Sequence, residues 1–174
     1  VGRLTEQKGF RYLLEAFAII RSTLPQAQLV IAGDGELRST LEAQKGNNVH
    51  FLGWRSDAPS IMAGLDVLAV PSLWEGFGLV TLEAMALSKP VVASRVSALP
   101  EIVADGETGL LVPPADPKAL ASALCVVLAD KARARAMGER GRARLEKEFT
   151  VQGMVRQHAA VYKEAASRVP GFRA

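Results

Sequence analysis

Short apolar runs that alternate with stretches of helical character constrain this chain more than any other feature. Gln28-Leu-Val-Ile-Ala32, Val49-His-Phe-Leu52, Leu65-Asp-Val-Leu-Ala-Val70, Val91-Val-Ala-Ser94 and Leu110-Leu-Val112 read as strands. Ahead of them Phe10, Leu13, Leu14, Phe17, Ile20 and Leu24 recur at helical spacing up to Pro25. Between the runs, the pattern predicts helices from Glu36 to about Lys45, from Ala58 to Ala63 and from Leu79 to Leu87, and a helical turn over Leu99–Val103. Asp57 is placed to cap the second of these, with Pro59 in its first turn. Three helices close the chain: one capped at Asp116-Pro117 and running to about Ala129, one from Asp130 to about Glu148, and one from Val151 to about Arg168 with Thr150 as its N-cap. Strands alternating with helices predict an α/β domain with a parallel sheet covered on both faces. Val1-Gly2 reads as the end of a further strand whose start is missing. With no initiator methionine, the chain is expected to be cut from a longer protein.

In an open parallel sheet, the loops after the strands collect in one crevice, where ligands bind. The loop after Val70 is the richest in chemistry. It runs Pro71-Ser-Leu-Trp-Glu-Gly-Phe-Gly and opens the Leu79 helix, which carries Glu83. Gly76 and Gly78 leave backbone N–H groups uncovered where the helix begins, and the positive end of the helix dipole falls at the same point, which suits a phosphate oxygen. The neighbours of Glu83 are Leu79, Val80, Leu82, Ala84, Met85, Ala86 and Leu87, so the helix is apolar nearly all round and is expected to be buried. A carboxylate there needs donors: adjacent ligand hydroxyls such as those of a ribose, or a nearby Arg or loop that Glu83 would cap. Arg3 and Lys8 lie in the loop that precedes the first helix. They are either two cations aimed at a diphosphate in the same crevice or solvent-exposed loop charges.

Composition excludes several classes. The 174 residues suffice for one domain, which would bury roughly 70% of its unfolded surface. His50 and His158 are far apart and have no acidic or cysteine companions at ligand spacing, so no metal site is expected. The single cysteine, Cys125, sits in an apolar helical run and reads as a small core residue; it allows no disulfide within the chain, which fits a reducing, cytoplasmic compartment. No stretch approaches the roughly 20 apolar residues of a membrane span. The basic run Lys131-Ala-Arg-Ala-Arg135, with Arg140, Arg142 and Arg144, is interspersed with Glu139, Glu146 and Glu148. It reads as a solvated helix face, with peripheral contact to an anionic membrane as the alternative. The absence of interleaved aromatic residues argues against nucleic-acid binding.

Taken in order, the motifs resemble one family. They are Gly2-Arg3-Leu4 with Lys8-Gly9, Ile31-Ala-Gly33 with Gly35, Val49-His-Phe-Leu-Gly53, Pro71-Ser72 with Glu75-Gly-Phe-Gly78, Glu83-Ala-Met-Ala86, Pro90-Val-Val-Ala93, Pro100-Glu-Ile-Val103, Asp105-Gly106 and Thr108-Gly-Leu-Leu-Val112. The set is similar to the retaining nucleotide-sugar glycosyltransferases of the GT-B fold, group 1 or family 4, and covers essentially the whole chain. The resemblance implies a Rossmann-like, donor-binding C-terminal half of a two-domain hexosyltransferase that needs neither metal nor cofactor. It assigns Arg3 and Lys8 to the diphosphate, Glu83 to the ribose hydroxyls and Glu75 to the donor sugar. The loop at Gly76 and the amides around Phe77, Gly78, Leu79 and Val80 would complete the contacts, and Gly53-Trp54-Arg55 would border the base. Arg3, Lys8 and Glu75 are thus the catalytic candidates.

The resemblance also implies an N-terminal acceptor domain, to which the last helix would cross, so the chain alone is expected to bind nucleotide and transfer sugar negligibly. Two departures stand out: Ser88 where the family often has glycine, and Ser97-Ala98 where it often has Gly-Gly. The rival readings are another GT-B enzyme, such as a sugar-nucleotide epimerase or a glycan phosphorylase, and a non-catalytic nucleotide-binding module.

Overall fold

A computed structural model of the chain describes residues 1–168. Its elements are α1 (Phe10–Thr23), β1 (Leu29–Ala32), α2 (Arg38–Ala43), β2 (Val49–Gly53), α3 (Ala58–Ala63), β3 (Leu68–Val70), α4 (Leu79–Ala86), β4 (Val91–Ser94), α5 (Leu99–Ile102), β5 (Gly109–Val112), α6 (Pro117–Ala129), α7 (Lys131–Glu148) and α8 (Val151–Ser167). All strand pairs are parallel: β1 with β2, and β3–β4–β5 in that order.

β4 shows why both faces must be covered. Its four residues are all buried, and alternate side chains of a strand point to opposite faces. Val92 joins a core formed with α1, α6 and Met137, while Val91 and Ala93 join a second core with Leu68, Val70, Ala84, Met85, Leu99 and Ile102. Helices α1 and α6 pack together on one side. Helices α4 and α5 cover the other, with Leu145 of α7 against them. Cys125 is half-buried beside the first core, as a small apolar residue would be.

Four expectations change in detail. The Leu65 strand pairs only from Leu68, opposite Val91, and the Glu36 helix shortens to Arg38–Ala43. Val1–Leu4 is not a strand, although it runs beside β1: the Gly2 N–H donates to the Ala32 carbonyl at 3.0 Å and the Leu4 N–H to that of Asp34 at 2.9 Å. A cavity of about 310 Å³, lined by Val1, Phe10, Leu29, Val30, Leu68 and Ala69, lies between β1 and β3. Asp57 occupies the N-cap position of α3 but caps nothing, because both its oxygens are taken by Arg55 at 2.8 and 2.7 Å. Asp116, Asp130 and Thr150 do cap their helices, accepting from the amides of Ala119, Arg133 and Gly153.

Candidate donor-binding cleft

The segment from Val1 to Gly9 ties the ends of the strands into one edge. Beyond its bonds to the end of β1, it reaches the end of β3, where the Gln7 carbonyl accepts the Leu73 N–H at 2.8 Å. Gly9, which has φ 63°, caps α1 so close to Pro71 that a Cβ there would fall 2.1 Å from the Pro71 carbonyl oxygen. Only glycine combines that left-handed backbone with that approach.

Lys8 is the first charged residue brought to this edge. Its Nζ lies 2.7 Å from Glu75 Oε1, and the same oxygen accepts the Ser72 hydroxyl at 2.7 Å. The Glu75 side chain is 5% exposed and that of Lys8 21%. A buried carboxylate is thus matched by one cation and one hydroxyl, as burial of charge demands. The ion pair was not legible from local sequence, since Lys8 and Glu75 are 67 residues apart. The backbone of Glu75 is held as well: its N–H donates to Ser97 Oγ at 3.2 Å.

After Glu75 the loop opens into α4. Gly78 is its N-cap, with φ 86° and no side chain to cap with. Among the described residues, the amides of Gly76, Phe77, Gly78, Leu79 and Val80 donate to no protein acceptor. Phe77 is 47% and Leu79 65% exposed, so this helix end faces open space. Uncovered N–H groups at a helix N-terminus attract an anion.

Glu83 corrects the expectation of a sequestered acid. α4 is indeed apolar, but only Thr81, Ala84 and Met85 are buried among its residues; Glu83 is exposed and has no hydrogen-bond partner among the described residues. The reason is position: Thr81, Ala84 and Met85 form the side that packs on β3, β4 and α7, whereas Leu79 and Glu83, four residues apart, share the outward side. Glu83 thus lies about one turn from the α4 N-terminus.

Arg3 is exposed and unpaired among the described residues, and lines a groove of about 270 Å³ with Gly2, Gly33, Asp34, Trp54 and Arg55. Gly53 ends β2 just behind it, against the guanidinium of Arg38. Trp54 is 75% exposed, a flat apolar wall that no protein group covers. Arg55 is committed to Asp57, which holds the Asp57 carboxyl below the usual carboxylate range. The Gly35 amide, and then Arg38, do the same for Asp34.

Arg3, Lys8, Glu75, Glu83 and the α4 N-terminus therefore share one edge of the sheet. Sequence reasoning missed Gln7, whose side chain also donates to the Trp74 carbonyl at 3.1 Å, and noted Ser97 only as a departure from Gly-Gly, not as a partner of Glu75. Both bonds span long sequence separations, so no local signal could have given the partners. The basic run of α7 stands apart from this edge. Arg135, Arg142 and Arg144 pair along their own helix with Glu139, Glu146 and Glu148, and Arg140 bonds the Glu107 carbonyl. Among the described residues there is no group of three His, Cys, Asp or Glu side chains that could hold a metal, and no helix is long and apolar enough to cross a membrane.

Comparison with known proteins places this geometry. The family model described as glycosyl transferases group 1 matches residues 1–130. The lipopolysaccharide core biosynthesis mannosyltransferase LpsB of Rhizobium meliloti is 33% identical over 174 residues, an alignment that covers 93% of this chain and 50% of that protein. The crystal structure of the Anabaena HepE protein in complex with UDP-glucose superposes with a TM-score of 0.85 at 31% identity, covering 94% of this chain and 47% of that one. The C-terminal domain of the group 1 glycosyltransferase LpcC from Francisella tularensis superposes with a TM-score of 0.80 at 27% identity, covering 87% and 84%. The chain thus spans about half the length of the curated relatives it matches. Its fold is the Rossmann-like half of a GT-B glycosyltransferase, and the chain belongs to the glycosyl transferase group 1 family.

Proposed function

We propose that this chain is the donor-binding half of a two-domain hexosyltransferase. It would bind a nucleoside diphosphate sugar and support transfer of the sugar to an acceptor hydroxyl, with configuration retained and without a metal. The observation that carries this reading is the meeting of Arg3, the Lys8–Glu75 pair and the uncovered amides of α4 at one edge. The presence of UDP-glucose in the HepE structure supports a sugar nucleotide as the ligand. The match to an isolated C-terminal domain supports assigning the chain to that half.

Each group has a task in this scheme. The base lies in the groove beside Trp54 and Gly53, and Glu83 accepts from the two ribose hydroxyls. With no hydrogen-bond partner among the described residues, its two oxygens can take both. Arg3 grips the diphosphate with its planar fork. Lys8 spends one of its three N–H donors on Glu75 and offers the others to phosphate. Glu75, through its second oxygen, orients the sugar hydroxyls. As the bond from the anomeric carbon to the diphosphate breaks, negative charge grows on the leaving phosphate. Arg3, Lys8 and the amides of Phe77 to Val80 meet that charge, and one such preorganised donor lowers a barrier by about 3 to 4 kcal/mol. The acceptor and any acid or base would come from the other cleft wall, so this chain alone should bind nucleotide without transferring sugar.

Calorimetry with UDP, GDP and ADP tests the reading. Arg3→Ala and Glu83→Gln each remove an exposed group without a protein partner, so stability should not change. Each should weaken the tightest diphosphate about tenfold or more, the value of a charge-assisted hydrogen bond. Unchanged affinity in both variants would refute the site. In the full-length enzyme, the anomeric configuration of the product and activity in excess EDTA test retention and metal independence.

A further inference from the structure

We infer that Ser97 is a positioning residue that lets the cleft distinguish a sugar nucleotide from its bare diphosphate, acting through Glu75. The inference rests on the donor-binding reading above and adds a residue to it. Ser97 follows β4 and has φ 48°, a left-handed backbone that a non-glycine residue rarely adopts. Glycine would take this conformation without strain. Ser88 and Ala115 share such a backbone, so it is the use of its side chain, not the conformation, that sets Ser97 apart.

That use is visible in the hydrogen bonding. Ser97 Oγ accepts the N–H of Glu75 at 3.2 Å, which joins the loop after β4 to the loop after β3. On the opposite flank, Gln7 holds the same loop twice, at the Leu73 N–H and at the Trp74 carbonyl. The stretch from Leu73 to Glu75 is therefore fixed by Gln7 at its start and by Ser97 at its end. The Glu75 carboxylate is anchored to Lys8 and Ser72 through one oxygen, Oε1, which leaves Oε2 to be aimed by the backbone. Ser97 sets that backbone. Its hydroxyl accepts from Glu75 and keeps its own proton, and the residue is exposed, so the proton is free for a ligand hydroxyl. Among the described residues, Ser97 forms no hydrogen bond with Arg3, Lys8, Trp54 or Glu83. Loss of its hydroxyl should thus be felt at the sugar and not at the nucleotide.

The experiment is calorimetry on the whole chain with Ser97→Ala and Ser97→Gly. Both variants delete the hydroxyl, but alanine keeps the strained backbone and glycine relaxes it. UDP, GDP and ADP are titrated first, and the tightest is then compared with its hexose ester, UDP-glucose, GDP-mannose or ADP-glucose. Both variants should hold the diphosphate within about twofold of wild type and lose about fivefold or more on the ester, the value of one hydrogen bond. Equal losses on both ligands, no loss on either, or a loss in alanine alone would overturn the inference. Hydrogen exchange at the Glu75 amide, read without ligand, should quicken in both variants, and unchanged exchange would overturn the tether itself. If wild type binds none of the three diphosphates, the donor-binding reading fails and the Ser97 role with it. If wild type binds and the variants do not separate the ligands, only the Ser97 role falls.

Discussion

Removing Lys8 should destabilise the fold more than neutralising Glu75, although the two form one ion pair. The asymmetry follows from exposure: the Glu75 side chain is 5% exposed and that of Lys8 21%, with 2.7 Å between Nζ and Oε1. In Lys8→Met the carboxylate stays charged and buried with the Ser72 hydroxyl as its remaining side-chain donor. Breaking a buried pair in this way costs 3–5 kcal/mol, and the surviving serine bond puts the figure at about 3 kcal/mol. In Glu75→Gln the amide oxygen still accepts from Ser72 and Lys8, and Lys8 can turn to water. What is lost is the charged component of one hydrogen bond, about 1 kcal/mol. For a domain of this size the two changes should lower Tm by roughly 6–12 °C and 2–4 °C. The double variant should recover part of the Lys8→Met loss, because it removes the stranded charge. Urea denaturation at constant m value gives the three free energies. If Glu75→Gln costs as much as Lys8→Met, or if the double variant is worse than Lys8→Met, the account of a buried acid supported by a half-solvated lysine is wrong.

Two further outcomes follow from packing and backbone conformation. A Cβ on Gly138 would lie 1.9 Å from the Ser88 carbonyl oxygen, where α7 crosses the turn after α4; Gly138→Ala should therefore cost about 2–3 kcal/mol by overpacking, and a loss below 0.5 kcal/mol would refute that close approach. Ser88 has φ 54°, so Ser88→Gly should stabilise by about 0.5–1 kcal/mol in the same assay, the relief of left-handed strain less the added freedom of the unfolded chain; destabilisation would contradict it.

Much of the architecture was legible in the sequence because it rests on local periodicity. α3 at Ala58–Ala63 and β4 at Val91–Ser94 have the ends that their apolar patterns indicate. The caps at Asp116 and Thr150 were legible for the same reason, since each oxygen needs only an amide three residues on. Asp57 failed as a cap because a guanidinium two residues back competed for the same oxygens. The burial of Glu83 was misjudged because apolar residues all round a helix say what it tolerates, not which side its neighbours cover. Leu79 and Glu83, four residues apart, share the outward side of α4, while Thr81 and Ala84 on the other side are fully buried.

What the sequence by itself determined is the order of elements, their parallel arrangement and the edge to which the loops return, because hydrophobic period and helix ends act over a few residues. What only the tertiary structure decided is which charges meet. Lys8 finds Glu75 across 67 residues, Ser97 finds the Glu75 amide across 22, and Arg3 and Glu83 stay unpaired among the described residues. Those pairings depend on where separate strands end in space, and a distance of 2.7 Å between two loops has no counterpart in the spacing of residues along the chain.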